Sequence, residues 1–167
     1  KTPLSIAKKY GTGVLDHRTR YRNLVTDAKK YIKPRIPQKN YVLITDFFKE
    51  MKNYQKFPNY RFVHSDLYFR HIIVDKRKNI TGIIDFSDRR IGDPAIDFGE
   101  LWLYGEGFVK EVYKNYSGSK DKDFLYRSEL YYKCAPLNLM IMRIKEKRES
   151  FTKGYQMFKE IFVKNFK

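Results

Sequence analysis

His64-Ser65-Asp66-Leu67-Tyr68-Phe69-Arg70-His71, Gly82-Ile83-Ile84-Asp85-Phe86-Ser87-Asp88 and Gly92-Asp93-Pro94-Ala95-Ile96-Asp97 follow one another within 34 residues. Around them lie three short apolar pieces, Arg61 to His64, His71 to Val74 and Ile80 to Phe86. The polar turn Asp75-Lys76-Arg77-Lys78-Asn79 joins the last two, so they read as a small β-hairpin with a lead-in strand. After the hairpin, Asp93 is a good N-cap and Pro94 sits at the first helical position, where its missing N–H costs nothing, so the pattern turns helical there.

Working outward, residues 1–15 show no clean periodicity. From the possible cap Asp16, Tyr21, Leu24, Val25, Ala28 and Ile32 recur at helical spacing. The two prolines of the stretch from Lys33 to Asn40 break that helix, and Ile44, Phe47, Phe48 and Met51 mark the stripe of a second one. The segment Phe57 to Tyr60 ends this region. Beyond Asp93 the chain is helical in flavour, with a loop from Ser117 to Asp123 and an expected break or kink at Ala135-Pro136. The expected class is α+β and mainly helical. It is one domain over residues 1–167, with a helical lead-in (1–60), a hairpin region (61–92) and a helical subdomain (93–167).

Composition sets limits on function. A chain of 167 residues with 17% aromatic content can bury a core without disulfides. The one cysteine, Cys134, has no partner for a disulfide and no neighbour at metal-ligand spacing, so it reads as a small core residue in a reducing compartment, which favours the cytoplasm. There is no apolar stretch long enough for a membrane span, and the first residues lack the apolar run of a signal peptide. The net charge of +16 raises nucleic acid as a partner. However, the window from His64 to Glu106 holds eight acidic residues against six basic ones, a local charge of −2 that leaves +18 on the rest. A solvated basic surface accounts for that remainder, and nucleic-acid binding is not expected.

Two loops beside one hairpin can supply what a phosphoryl transfer needs: a carboxylate near the attacking hydroxyl, and separate ligands for the metal ions that bridge the phosphates. Protein kinases use H-R-D-L-x-x-x-N followed by D-F-G. Here Asp66 and His71 keep the same spacing, with His71 in place of the asparagine. The three motifs more closely resemble the aminoglycoside phosphotransferases, kinase-like proteins that carry H-G-D-x-x-x-x-N, a strand ending I-D-W or I-D-F, and G-D-P-x-x-D. A histidine in the asparagine position is similar to the 2″-phosphotransferase branch.

The resemblance implies the carboxy-terminal lobe of a protein-kinase-like fold and a transfer from GTP or ATP, with Mg2+, to a hydroxyl of an aminoglycoside, hence antibiotic resistance. It implies that Asp66 orients or deprotonates the hydroxyl and that His71 and Asp85 bind magnesium. His64 and Asp97 would support the catalytic loop, and Asp93 would cap the next helix. Ser65 departs from the family's usual glycine. Imidazole suits magnesium less well than an oxygen donor, so a packed or hydrogen-bonded His71 is the alternative. A polycationic substrate needs further carboxylates, for which Asp88, Glu100 and Glu106 are candidates, each with a solvated surface charge as its alternative. The surrounding positive charge is the main physical objection to such a substrate.

A kinase also needs a phosphate loop, a strand lysine and a hinge for the base. Gly11-Thr12-Gly13 is not that loop, since Asp16 stands where a third glycine is required and no strand precedes it. The amino-terminal nucleotide-binding lobe is therefore expected to lie outside this chain, either upstream in a longer protein or on another chain, and the isolated chain is expected to be inactive. Two other readings share the motifs: a kinase of another small metabolite such as choline or homoserine, and a kinase-derived binding module without catalysis.

Overall fold

The computed structural model describes residues 5, 7, 9, 11–54, 59–145 and 151–163. They fall into two compact units interleaved in sequence, one from residues 1–15 and 57–132, the other from residues 16–56 and 133–167. Phe57 and Pro58, where the lead-in region was expected to end, lie outside the described residues.

In the second unit, Asp16 caps helix α1 (His17–Asp27) as expected, its carboxylate accepting from the N–H groups of Arg18 and Thr19. The helix widens into a π turn (Ala28–Ile32) and tightens into a 3-10 turn (Lys33–Arg35), where Pro34 stops it. Leu24, Ala28 and Ile32 form its buried stripe. Helix α2 (Gln38–Lys52) buries Tyr41, Ile44, Phe47 and Phe48, and Phe48 accepts a hydrogen bond at its carbonyl from the Tyr21 hydroxyl at 3.0 Å. Cys134 is buried with its Sγ 3.6 Å from Met51 Sδ, and burial pushes its thiol up to about 12. It is a core residue.

The expected break at Ala135-Pro136 does not occur. A single helix runs from Phe124 to Lys145 with Pro136 inside it. Pro136 is fully buried, and Cys134, Leu137, Met140 and Ile141 around it are buried too. An interior proline costs roughly 3 kcal/mol, which burying even two or three large side chains offsets. The last helix (Thr152–Phe158) is named α5, and the helix from Phe124 is α4.

In the first unit the hairpin forms as expected. Strand β2 (Ile72–Val74) pairs antiparallel with β3 (Ile80–Ile83). Asp75 stabilises the turn, its carboxylate accepting from the N–H groups of Arg77 and Asn79, both at 2.8 Å. The lead-in strand β1 (Arg61–Val63) pairs instead with an unforeseen fourth strand, β4 (Arg90–Gly92), which makes a second two-stranded sheet. Val14 adds a parallel bridge to Ile91, through hydrogen bonds that join Gly13 and Leu15 to Ile91.

Asp93 caps not an α-helix but a 3-10 helix (Pro94–Phe98), and a second one (Glu100–Tyr104) follows before helix α3 (Glu106–Asn115). A Cβ on Gly99, between them, would sit 3.1 Å from the Ile96 carbonyl and 3.2 Å from Tyr131 Cβ. Glycine there lets the segment approach α4. The apolar centre of this unit is Ala95, Phe98, Leu101, Val109 and Phe124. Among the described residues no helix is long and apolar enough to cross a membrane.

Candidate active site

The two small sheets place the loop after β1 and the loop after β3 side by side. His64, buried, ends the first strand region, and its Nε2 lies 2.8 Å from the carbonyl oxygen of Ile84. A carbonyl can only accept, so Nε2 carries the proton. The His64 ring is 4.6 Å from that of Phe86 and stacks on His71 at 5.7 Å, while Phe86 in turn meets Phe62 of β1 at 6.2 Å. This column of rings ties the two loops together.

Asp97 holds the first loop from beneath. Its Oδ2 accepts the His64 N–H at 2.9 Å and its Oδ1 the Ser65 N–H at 2.8 Å. Burial raises its carboxyl above the usual range, and the two N–H bonds oppose that rise. The grip is needed because Ser65 has φ +68, a left-handed conformation that ordinary residues avoid. That conformation also gives the physical reason a glycine suits this place. The Ser65 hydroxyl is buried with no partner among the described residues. Ser65→Gly is therefore expected to raise stability by about 1 kcal/mol, read as a higher thermal midpoint. A lower midpoint would mean that the hydroxyl is bonded.

Asp66, one residue on, accepts the His71 Nδ1–H and the Tyr68 N–H at its backbone carbonyl, at 2.8 and 2.9 Å. Its carboxylate is half exposed and 3.7 Å from His71 Nδ1. The other ring nitrogen, Nε2, lies 3.5 Å from Asp85 Oδ2. His71 thus stands between the two carboxylates. Asp85 is left-handed as well, at φ +61. The Ser87 hydroxyl donates to its Oδ1 at 2.7 Å, and this bond, with the Ser87 N–H, holds the Asp85 carboxyl below its ordinary pKa.

With its proton on Nδ1, a neutral His71 aims the lone pair of Nε2 at the Asp85 carboxylate. Two electron-rich atoms facing each other need a proton or a cation between them. That donor pair fits a divalent cation. Among the described residues no group of three or more His, Cys, Asp or Glu side chains could hold a metal. Asp85 and His71 are thus the two side chains here that could hold a cation between them.

The outer carboxylates separate. Glu100 is pushed up first by burial and then by the charge of Asp66, so those two share one neighbourhood. Asp88 is exposed and paired with Arg90 at 3.3 Å, and Glu106 is exposed and paired with Lys110 at 2.7 Å. The motifs give no sign of what holds Asp93. It is fully buried, and Arg127 and Tyr131 of α4 bind it. An arginine within a helical stretch carries no motif that could have revealed this.

A model described as the phosphotransferase enzyme family matches residues 12–129, well over half of the chain. The chain belongs to that family. Solved phosphotransferases share the fold. The GDP complex of wild-type aminoglycoside 2'-phosphotransferase-IIIa superposes with a TM-score of 0.86 at 20% identity, covering 98% of this chain and 57% of that one. The GDP and kanamycin complex of APH(2")-IIIa gives 0.87 at 21%, covering 98% and 58%. Macrolide 2'-phosphotransferase type I gives 0.70 at 17%, covering 94% and 54%. The uncharacterized protein YcbJ of Bacillus subtilis (strain 168) is 39% identical over 36 residues, 22% of this chain and 12% of that protein. The chain thus spans little more than half the length of the structures that it matches. Its fold is that of the carboxy-terminal lobe.

Proposed function

We propose that this chain is the catalytic-loop half of a small-molecule kinase that transfers a phosphoryl group from GTP or ATP to a hydroxyl of an aminoglycoside. The observation that carries the reading is the position of His71 between Asp66 and Asp85, 3.7 and 3.5 Å away, on two adjacent loops. In this reading the substrate oxygen forms a bond to the transferred phosphorus as the bond to the nucleoside diphosphate breaks. Asp66 orients the hydroxyl and accepts its proton. Asp85 and His71 hold magnesium, which when bound neutralises charge developing on the phosphates. Glu100, near Asp66, pairs with a substrate ammonium.

The hairpin exposes Ile73, Val74, Ile80, Ile83 and Ile84. A nucleotide and the lobe that binds it would cover this apolar surface, and that lobe would come from outside this chain. The preference for an aminoglycoside over a macrolide rests on the acidic character of the Asp66 and Glu100 neighbourhood, which suits ammonium groups.

Magnesium titration of the complete protein with nucleotide tests the ligand assignment. Asp85→Ala is expected to weaken binding more than His71→Ala, because a hard cation prefers the carboxylate oxygen. The reverse order would make the imidazole the principal ligand and overturn the assignment.

A further inference from the structure

Arg127 stands at the centre of a buried charge cluster. Its side chain is 4% exposed and that of Asp93 is 0% exposed. The guanidinium makes two forks: Nε and Nη2 donate to Asp93 at 2.7 and 3.1 Å, and Nη1 and Nη2 donate to Asp121 at 2.6 and 2.9 Å. The Tyr131 hydroxyl adds a bond to Asp93 Oδ2 at 3.0 Å, and the Ala95 N–H donates to Oδ1 at 3.2 Å. Burying such charges costs several kcal/mol per ion, and an apolar replacement of similar volume is often no less stable. What a doubly bidentate arginine provides is a fixed geometry.

That geometry leads to the catalytic loop by a short covalent path. Asp93 begins the 3-10 helix, Pro94 fixes its first φ, and Asp97 lies on the same turn-and-a-third. Asp97 in turn holds the N–H groups of His64 and Ser65, immediately before Asp66. Gly99 allows the segment to approach α4 closely, and the Trp102 indole N–H donates to Ser128 Oγ at 2.9 Å, one residue after Arg127. The first turns of α4 therefore grip both ends of the segment that carries Asp97.

We propose that Arg127 is a positioning residue for the transfer reaction: through Asp93 and Asp97 it sets the backbone of the loop that presents Asp66. The inference rests on the functional reading above for its kinetic consequence, but not for its structural one. A catalytic group displaced by about 1 Å can cost roughly 100-fold in rate. Arg127→Lys keeps the charge and loses the forks.

In the complete protein, Arg127→Lys is expected to lower kcat by about 10- to 100-fold while leaving the nucleotide and substrate KM within about 3-fold. Amide hydrogen exchange at His64 and Ser65 should accelerate, while exchange in α1 and α2 stays as in the wild type. Asp121→Asn, which keeps the Asp93 fork, should show the same pattern more weakly, and it carries the test alone if the lysine variant does not fold. The exchange experiment is independent of substrate, so it stands even if the transfer reaction is of another kind. Loop exchange unchanged from the wild type in a folded variant would overturn the proposal, as would exchange that accelerates uniformly across the protein.

Discussion

Asp66→Asn in the complete protein is expected to lower turnover by about two to four orders of magnitude and to leave the thermal transition where it was. The first half follows from role. A carboxylamide keeps the shape of the side chain but can no longer accept the proton of the hydroxyl, and it loses the charge that aligns it. The second half follows from place. The Asp66 carboxylate is half exposed, whereas its structural bonds to His71 and Tyr68 are made by the backbone carbonyl, which the substitution keeps. Steady-state kinetics beside a thermal melt separates the two. Wild-type turnover in a folded variant would remove Asp66 from the chemistry.

Asp93→Ala should lower stability as well as turnover, since it cuts the link from Arg127 to the segment that holds the Asp66 loop. It leaves the Arg127 guanidinium buried with Asp121 alone, and it strips the Tyr131 hydroxyl and the Ala95 N–H of their acceptor. Burial alone would lower the pKa of that guanidinium, but its hydrogen bonds to Asp121 and Asp93 outweigh burial and raise it, so arginine stays charged and cannot escape the loss by giving up its proton. Removing one partner of such a buried pair typically costs about 3–5 kcal/mol, a large fraction of the stability of an ordinary domain. Urea denaturation of the complete protein measures it. A loss below about 1 kcal/mol would show that water relieves the cluster.

The local parts of the site were legible in the sequence because each rests on near neighbours. Asp66 and His71 meet because they lie five positions apart in one loop, and the turn from Asp75 to Asn79 closes through its own side chain. The Asp16 cap and the stripes of α1 and α2 likewise follow from spacing alone. What escaped was set by partners distant in sequence. Strand β4 exists because Arg61 to Val63 lies beside it, although the two are nearly thirty residues apart. Helix α4 passes through Pro136 because the side chains around it are buried, a gain that no propensity contains. The 3-10 geometry after Asp93 suits a segment pinned at Asp93, Asp97 and Trp102 together. Arg127 looked like any surface charge in a chain of net charge +16 until Asp93 and Asp121 were seen on either side of it.

The central step of the proposed function is the arrival of a phosphoryl group on an aminoglycoside hydroxyl. The most direct measurement incubates the complete protein with magnesium, GTP or ATP, and kanamycin, and weighs the antibiotic by mass spectrometry, with the Asp66→Asn variant in parallel. Kanamycin is expected to be heavier by one phosphoryl group with the wild type and unchanged with the variant. Kanamycin that stays unmodified with both nucleotides, while choline, homoserine or a macrolide is phosphorylated under the same conditions, would contradict it.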